Sequence, residues 1–93
     1  MPYPMRCSFK VPGTSYTIEV DLRKWDCNRE PPHCHLCDSH GSRIAQIWLN
    51  PCIFEEIPKS VSGNDESRIL KSVEMHRDQI KETYEYNSMN GAD

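Results

Sequence analysis

The chain has 93 residues, of which 37% are hydrophobic and 27% are charged, and its formal net charge is -3. This length and composition predict one globular domain over residues 1–93, and the acidic balance argues against a broad electrostatic surface for nucleic acid. No apolar run is long enough for a signal peptide or a membrane span. We therefore expect a cytoplasmic protein with no membrane partner, ordered over about residues 5–86, with a flexible tail at 87–93.

The first two predicted elements form a β-hairpin. Apolar side chains occupy every second position in residues 5–11 and again in residues 16–22, and a turn cluster that contains Pro12 and Gly13 separates the two runs. Alternation with a period of two on both sides of a glycine-containing turn is typical of a hairpin with one face on the core.

A second hairpin follows a polar stretch. Residues 23–32 are polar and end in two prolines, so we interpret them as a loop. We predict a third strand over residues 33–37 and a fourth over residues 43–50, whose nearly continuous apolar run is typical of a central strand. Residues 51–63 contain two prolines and a glycine, which predicts an irregular segment.

The period changes near Asn64, where a C-terminal helix is predicted to begin. Its apolar stripe repeats at steps of three and four: Ile69, Val73, His76, Ile80 and Tyr84. The expected architecture is therefore α+β, with a mainly antiparallel sheet of about four strands and one C-terminal helix packed on one face.

The densest chemistry lies in residues 30–36. Two prolines favour extended backbone, and the spacing of two between His33 and His35 places both imidazoles on one face of a strand. Such a pair can act as general acid and base near neutral pH, and Arg43 across the turn can stabilise phosphate charge. The sequence thus suggests RNA cleavage by His33, His35 and Arg43. The alternative is a structural role, in which the histidines hold the start of the strand.

A zinc site is a further hypothesis, although no cofactor is the primary expectation. The five cysteines cannot all pair within one chain, so we expect free thiols or metal ligands. One candidate set combines imidazoles and a thiolate near one turn: His33, His35, Cys37 and His40. A second set contains a single C-x-x-C step: Cys27, Cys34, Cys37 and His40.

The motifs at residues 30–36 and 45–51 resemble those of a small prokaryotic family known as domain of unknown function 4160. The matching residues are Glu30-Pro31-Pro32-His33-x-His35-Leu36 and Ala45-x-Ile47-Trp48-Leu49-x-Pro51, followed by the amphipathic helix. The resemblance covers most of the chain, up to about Tyr86. The resemblance implies that the motif histidines of the family correspond to His33 and His35 of this chain, which Glu30, Pro31 and Pro32 frame. Family members typically have an apolar residue at position 34 and nothing fixed at position 37, which counts against a shared cysteine metal site.

The resemblance implies a toxin-antitoxin-associated domain. We expect a toxin-like component that acts on RNA through the histidine pair, with a cognate antitoxin or a second copy of the chain as partner. The alternatives are a non-catalytic module for protein binding or oligomerisation, which would use an exposed sheet edge, and a zinc-binding domain.

Overall fold

A computed structural model describes residues 3–93 and has the α+β architecture that the sequence predicts. In this range it contains five strands and three helices, where about four strands and one helix were expected. In chain order they are β1 (Ser8–Lys10), β2 (Thr17–Glu19), α1 (Lys24–Arg29), β3 (His33–Cys37), β4 (Arg43–Leu49), β5 (Cys52–Phe54), α2 (Gly63–Met75) and α3 (Arg77–Asn90).

The sheet is an antiparallel meander in the order β1-β2-β3-β4-β5. Both predicted hairpins are present, as β1–β2 and β3–β4, and the pairing of Ile18 with Leu36 joins them through β2 and β3. In the first turn Gly13 has φ of 78°, a left-handed conformation that glycine adopts without strain.

The two faces of the sheet have different roles. Ile18, Leu36 and Ile47 are fully buried and belong to one core cluster with Ile69 and Ile80 of the helices. Burial of each such side chain stabilises the fold by roughly 1.5–3 kcal/mol. Because side chains alternate along a strand, the histidines of β3 lie on the opposite face.

The region predicted as a loop at residues 23–32 contains helix α1. Six residues are too few for a helical period to be recognised, and Cys27 is the helix's one buried residue. Similarly, β5 lies in the segment predicted to be irregular, where Ile47 pairs with Phe54. Both elements are short, so tertiary contacts rather than local pattern determine them.

The single predicted C-terminal helix is divided at His76. This residue has φ of −105° and ψ of 13°, so α2 ends before it and α3 begins after it. Its ring stacks on Phe9, with centroids 4.0 Å apart, and its Nδ1 lies 2.9 Å from the Ser72 carbonyl. These contacts fix the break. The apolar stripe still continues into α3, where Ile80 and Tyr84 are buried.

Residues after position 86 form contacts with the start of the fold. Helix α3 continues to Asn90, and Asn87 is fully buried. Ala92 then forms a parallel bridge with Arg23, with hydrogen bonds of 2.8 Å to the backbone of Leu22 and Lys24. None of the helices within residues 3–93 combines the length and apolarity that a membrane crossing requires.

Candidate functional site

Asp21 lies at the centre of the candidate site, just beyond the end of β2. Its Oδ2 is 3.0 Å from Nε2 of His33 and 2.8 Å from Nε2 of His35. The β2–β3 pairing explains this contact, because Glu19 pairs with His35 and continuation of the register places Asp21 opposite His33. The Asp21 and His33 side chains are 4% and 3% exposed, whereas that of His35 is 14% exposed.

Asp21 falls between the apolar positions of the run at residues 16–22, and nothing in that local pattern marks it as a site residue. The signal that could have identified it is the register between the two hairpins, which local alternation does not reveal. The predicted pair His33 and His35 is brought together, with ring centroids 5.1 Å apart.

Arg43 also reaches this site, where two carboxylates bind its guanidinium. Its Nη1 donates to Oδ1 of Asp21 and its Nε donates to Glu19, each over 2.5 Å. The arginine therefore neutralises and orients Asp21. A role on phosphate, which the sequence suggested, would require the guanidinium to give up or share these bonds.

The partners of His33 require protons on both of its ring nitrogens. Burial would raise the pKa of Asp21, but the hydrogen bonds from His33, His35 and Arg43 and the nearby positive charge together hold that pKa well below its usual range. The ionised carboxylate accepts from Nε2 of His33, and the Pro31 carbonyl, 2.9 Å away, accepts from Nδ1. Burial alone would lower the pKa of His33, but these two hydrogen bonds outweigh it and raise the pKa. This arrangement therefore favours the imidazolium form of His33.

The backbone of Asp21 is held as firmly as its side chain. Nδ2 of Asn87 donates to the Asp21 carbonyl over 2.8 Å and to the Met5 carbonyl over 2.9 Å, and the Met5 amide donates to Oδ1 of Asn87 over 2.7 Å. The Cys27 thiol lies 3.5 Å from the same Asp21 carbonyl. Helices α1 and α3 thus fix the position of the central carboxylate.

The motif that frames the histidines has an identifiable structural role. The Pro31 carbonyl holds His33, and the Pro32 carbonyl accepts from the Leu49 amide over 3.2 Å. The Glu30 carbonyl accepts from the Tyr84 hydroxyl, and the Glu30 carboxylate accepts from Gln46 over 2.8 Å. These bonds position α1 beside the open face of the sheet.

The site opens into a polar cleft of about 270 Å³ between α1 and the sheet. Its lining is charged or polar throughout: Asp21, Asp26, Arg29, Glu30, His33, His35, Arg43 and Gln46. Arg29 also stacks over Trp25, with the guanidinium carbon 4.4 Å from the ring centroid. Arg29 could not be placed at the site from the sequence, because residues 23–32 were expected to form a loop and not the helix α1 that carries it.

Neither predicted zinc set is assembled in residues 3–93. The group of side chains that converges there is Asp21, His33 and His35, whose ligand atoms all lie within 4.8 Å of one another. Cys37 and His40 are outside this group, and His40 is exposed in the turn after β3. The side chains of the second set do not come together either, because Cys34 is buried in the core cluster. All five cysteines are free thiols.

The comparison with protein families supports the resemblance stated above. A family model described as Domain of unknown function (DUF4160) matches residues 19–85, well over half of the chain. The chain belongs to this family. No curated protein and no solved structure matches it. Every residue that lines the cleft falls inside the matched DUF4160 region, whereas Asn87 and the Ala92 bridge follow it.

Proposed function

We propose that this chain is a toxin-like protein that cleaves RNA in the cleft, with Asp21, His33 and His35 as its reactive centre. The observation that carries the proposal is the convergence of two imidazoles on one ionised carboxylate at the wall of an open cleft. Such an arrangement can activate a hydroxyl or water for attack on phosphorus.

The accessibility of His35 favours a reactive role over a purely structural one. The hydrogen bond from His35 to Asp21 uses only one ring nitrogen, Nε2. No group among residues 3–93 hydrogen-bonds to its Nδ1, and the side chain lines the cleft. A hydrogen-bond network that served only to stabilise the fold would gain nothing from the exposure of His35 to the cleft. His33, in contrast, is enclosed by Trp48 and Tyr84 and acts through its position.

The cationic groups of the cleft support a phosphodiester as substrate. Arg29 lines the cleft and forms no ion pair with any carboxylate in the described part of the chain, so its guanidinium is available to a phosphate oxygen. Arg43 lies on the opposite wall, where its guanidinium would have to share its bonds to Glu19 and Asp21 with a phosphate. As a toxin-like protein, the chain would have a cognate antitoxin as its partner.

Induction in a bacterial host tests this proposal, with His35→Ala as the variant and His40→Ala as the matched control. His40 is an exposed histidine outside the cluster, so both variants lose one imidazole. We expect growth arrest and new RNA 5′ ends from wild type and from His40→Ala, but not from His35→Ala of equal solubility. Arrest by all three proteins, or arrest without RNA cleavage, would contradict the proposal.

A non-catalytic binding module is the second candidate, and the exposed edge strand β5 favours it. Ile53 on this strand is 50% exposed and Ile57 beyond it is 48% exposed. An edge strand with apolar side chains can pair with a strand of another protein. Three results together would favour this function. The chain would bind an antitoxin, Ile53→Lys would abolish that binding while His35→Ala left it intact, and no RNA cleavage would be detected.

A further inference from the structure

We infer that Asp21, His33 and His35 form the binding site of a divalent transition-metal ion, such as zinc, at the inner wall of the cleft. The inference deepens the proposed function and rests on it for the ion's chemical role. Binding of the ion rests on the site's own geometry. This ligand set differs from both sets that the sequence suggested, since it contains a carboxylate and no thiolate.

The three ligand atoms are already close to the separations that a metal imposes. Oδ2 of Asp21 lies 3.0 Å and 2.8 Å from the two Nε2 atoms, and all three lie within 4.8 Å of one another. Ligands on a tetrahedral zinc ion are about 3.3 Å apart, given bonds of 2.0–2.2 Å. Small shifts of the carboxylate oxygen and of the two imidazole rings would therefore admit the ion, which would replace the two hydrogen bonds.

The groups behind the ligands are those that support metal binding in proteins. A metal-binding histidine usually donates its other ring N–H to a carbonyl or carboxylate, as Nδ1 of His33 does to Pro31. The second oxygen of Asp21 accepts from Arg43, which orients the carboxylate, and Asn87 fixes its backbone. Two of the three ligands are thus held in place before the ion binds.

Charge and access also favour a cation at this position. Asp26 and Glu30 line the same cleft, so three carboxylates face two arginines. A bound divalent cation would add positive charge to this lining, which suits a phosphate. The open side leaves a coordination position for water, as in catalytic zinc sites.

The ion would add to the chemistry of the side chains. A divalent metal lowers the pKa of bound water to near 7 and neutralises charge on a phosphoryl oxygen. His33 is enclosed by Trp48 and Tyr84, so an ion bound to it would lie closer to a substrate in the cleft than the ring itself.

Calorimetric titration of chelator-treated protein with zinc sulfate tests the inference. We expect one equivalent to bind to wild type, and His35→Ala to weaken the affinity by at least about tenfold. Cys37→Ala and His40→Ala are the controls and should bind like wild type, because neither residue belongs to the cluster. Since His35→Ala removes a partly exposed group, circular dichroism should show that it keeps the fold. Absorption of the cobalt(II) form should shift in that variant alone.

Each other outcome has a distinct meaning. Absence of stoichiometric binding to wild type overturns the metal site, and so does an equal loss in the Cys37→Ala or His40→Ala variant. One bound equivalent without RNA cleavage upholds the site and contradicts the proposed function. RNA cleavage that persists in chelator upholds the proposed function and overturns the ion as its cofactor.

Discussion

Replacement of Asn87 by alanine should destabilise the fold and loosen the candidate site at the same time. The Asn87 side chain is fully buried in α3. It joins the segment before β1 to the end of β2, through three hydrogen bonds to the backbone of Met5 and Asp21. Among residues 3–93, no other side chain forms hydrogen bonds to the backbone of both Met5 and Asp21.

The magnitude follows from these three bonds. Each buried hydrogen bond contributes about 1 kcal/mol net, and the backbone groups left behind would be buried without partners. We therefore expect Asn87→Ala to lower the free energy of unfolding by about 3 kcal/mol, a large part of the 5–15 kcal/mol typical of a domain. The Tm should fall by more than about 10 °C.

Urea denaturation followed by circular dichroism measures this loss, with Asn90→Ala as the control. Asn90 lies one turn further along α3, and its side chain makes a single bond of 3.3 Å to the Tyr86 carbonyl. The control should lose less than about 1 kcal/mol. A loss for Asn87→Ala no larger than that of the control would refute the role assigned to this side chain.

Two further predictions concern the C-terminal bridge and pH. A Cβ at Gly91 would lie 2.5–2.7 Å from three backbone atoms, so Gly91→Ala should lower the free energy of unfolding by about 1–3 kcal/mol in chemical denaturation. Gly63→Ala is the control, because a Cβ there meets nothing within 4 Å, and it should leave the free energy of unfolding almost unchanged. In chelator-treated protein, the lowered pKa of Asp21 gives stability that is present above about pH 4, and the raised pKa of His33 gives stability that declines above about pH 6.5. The difference in Tm between wild type and Asp21→Asn should therefore be greatest between these values, and a difference that grows toward pH 8 would contradict the ion network.

The sequence predicts the two hairpins because alternation is a local signal, and β1–β2 and β3–β4 follow it. It does not predict α1 or β5, which are six and three residues long. Segments this short carry too few residues to display a period, and their structure depends on packing. The break at His76 depends on Phe9, which is distant in sequence.

The candidate site was predicted in part, for the same physical reason. His33 and His35 are close in sequence, so their shared face follows from strand geometry alone. Asp21 is brought to them by the pairing of β2 with β3, and Arg29 by a helix that was not recognised. The cysteines and histidines near the turn suggested a metal site that included Cys37 and His40. The side chains that converge in the structure instead combine the two histidines of β3 with the carboxylate of Asp21.

The most direct test of the account is RNA cleavage by purified protein in vitro, with and without chelator. We expect wild-type protein to cleave RNA with zinc, the chelator to stop cleavage, and added zinc to restore it. His35→Ala should remain inactive under all three conditions, while His40→Ala should behave like wild type. Equal cleavage by wild type and His35→Ala would place the active centre outside the cleft, and no cleavage by either would contradict the proposed function.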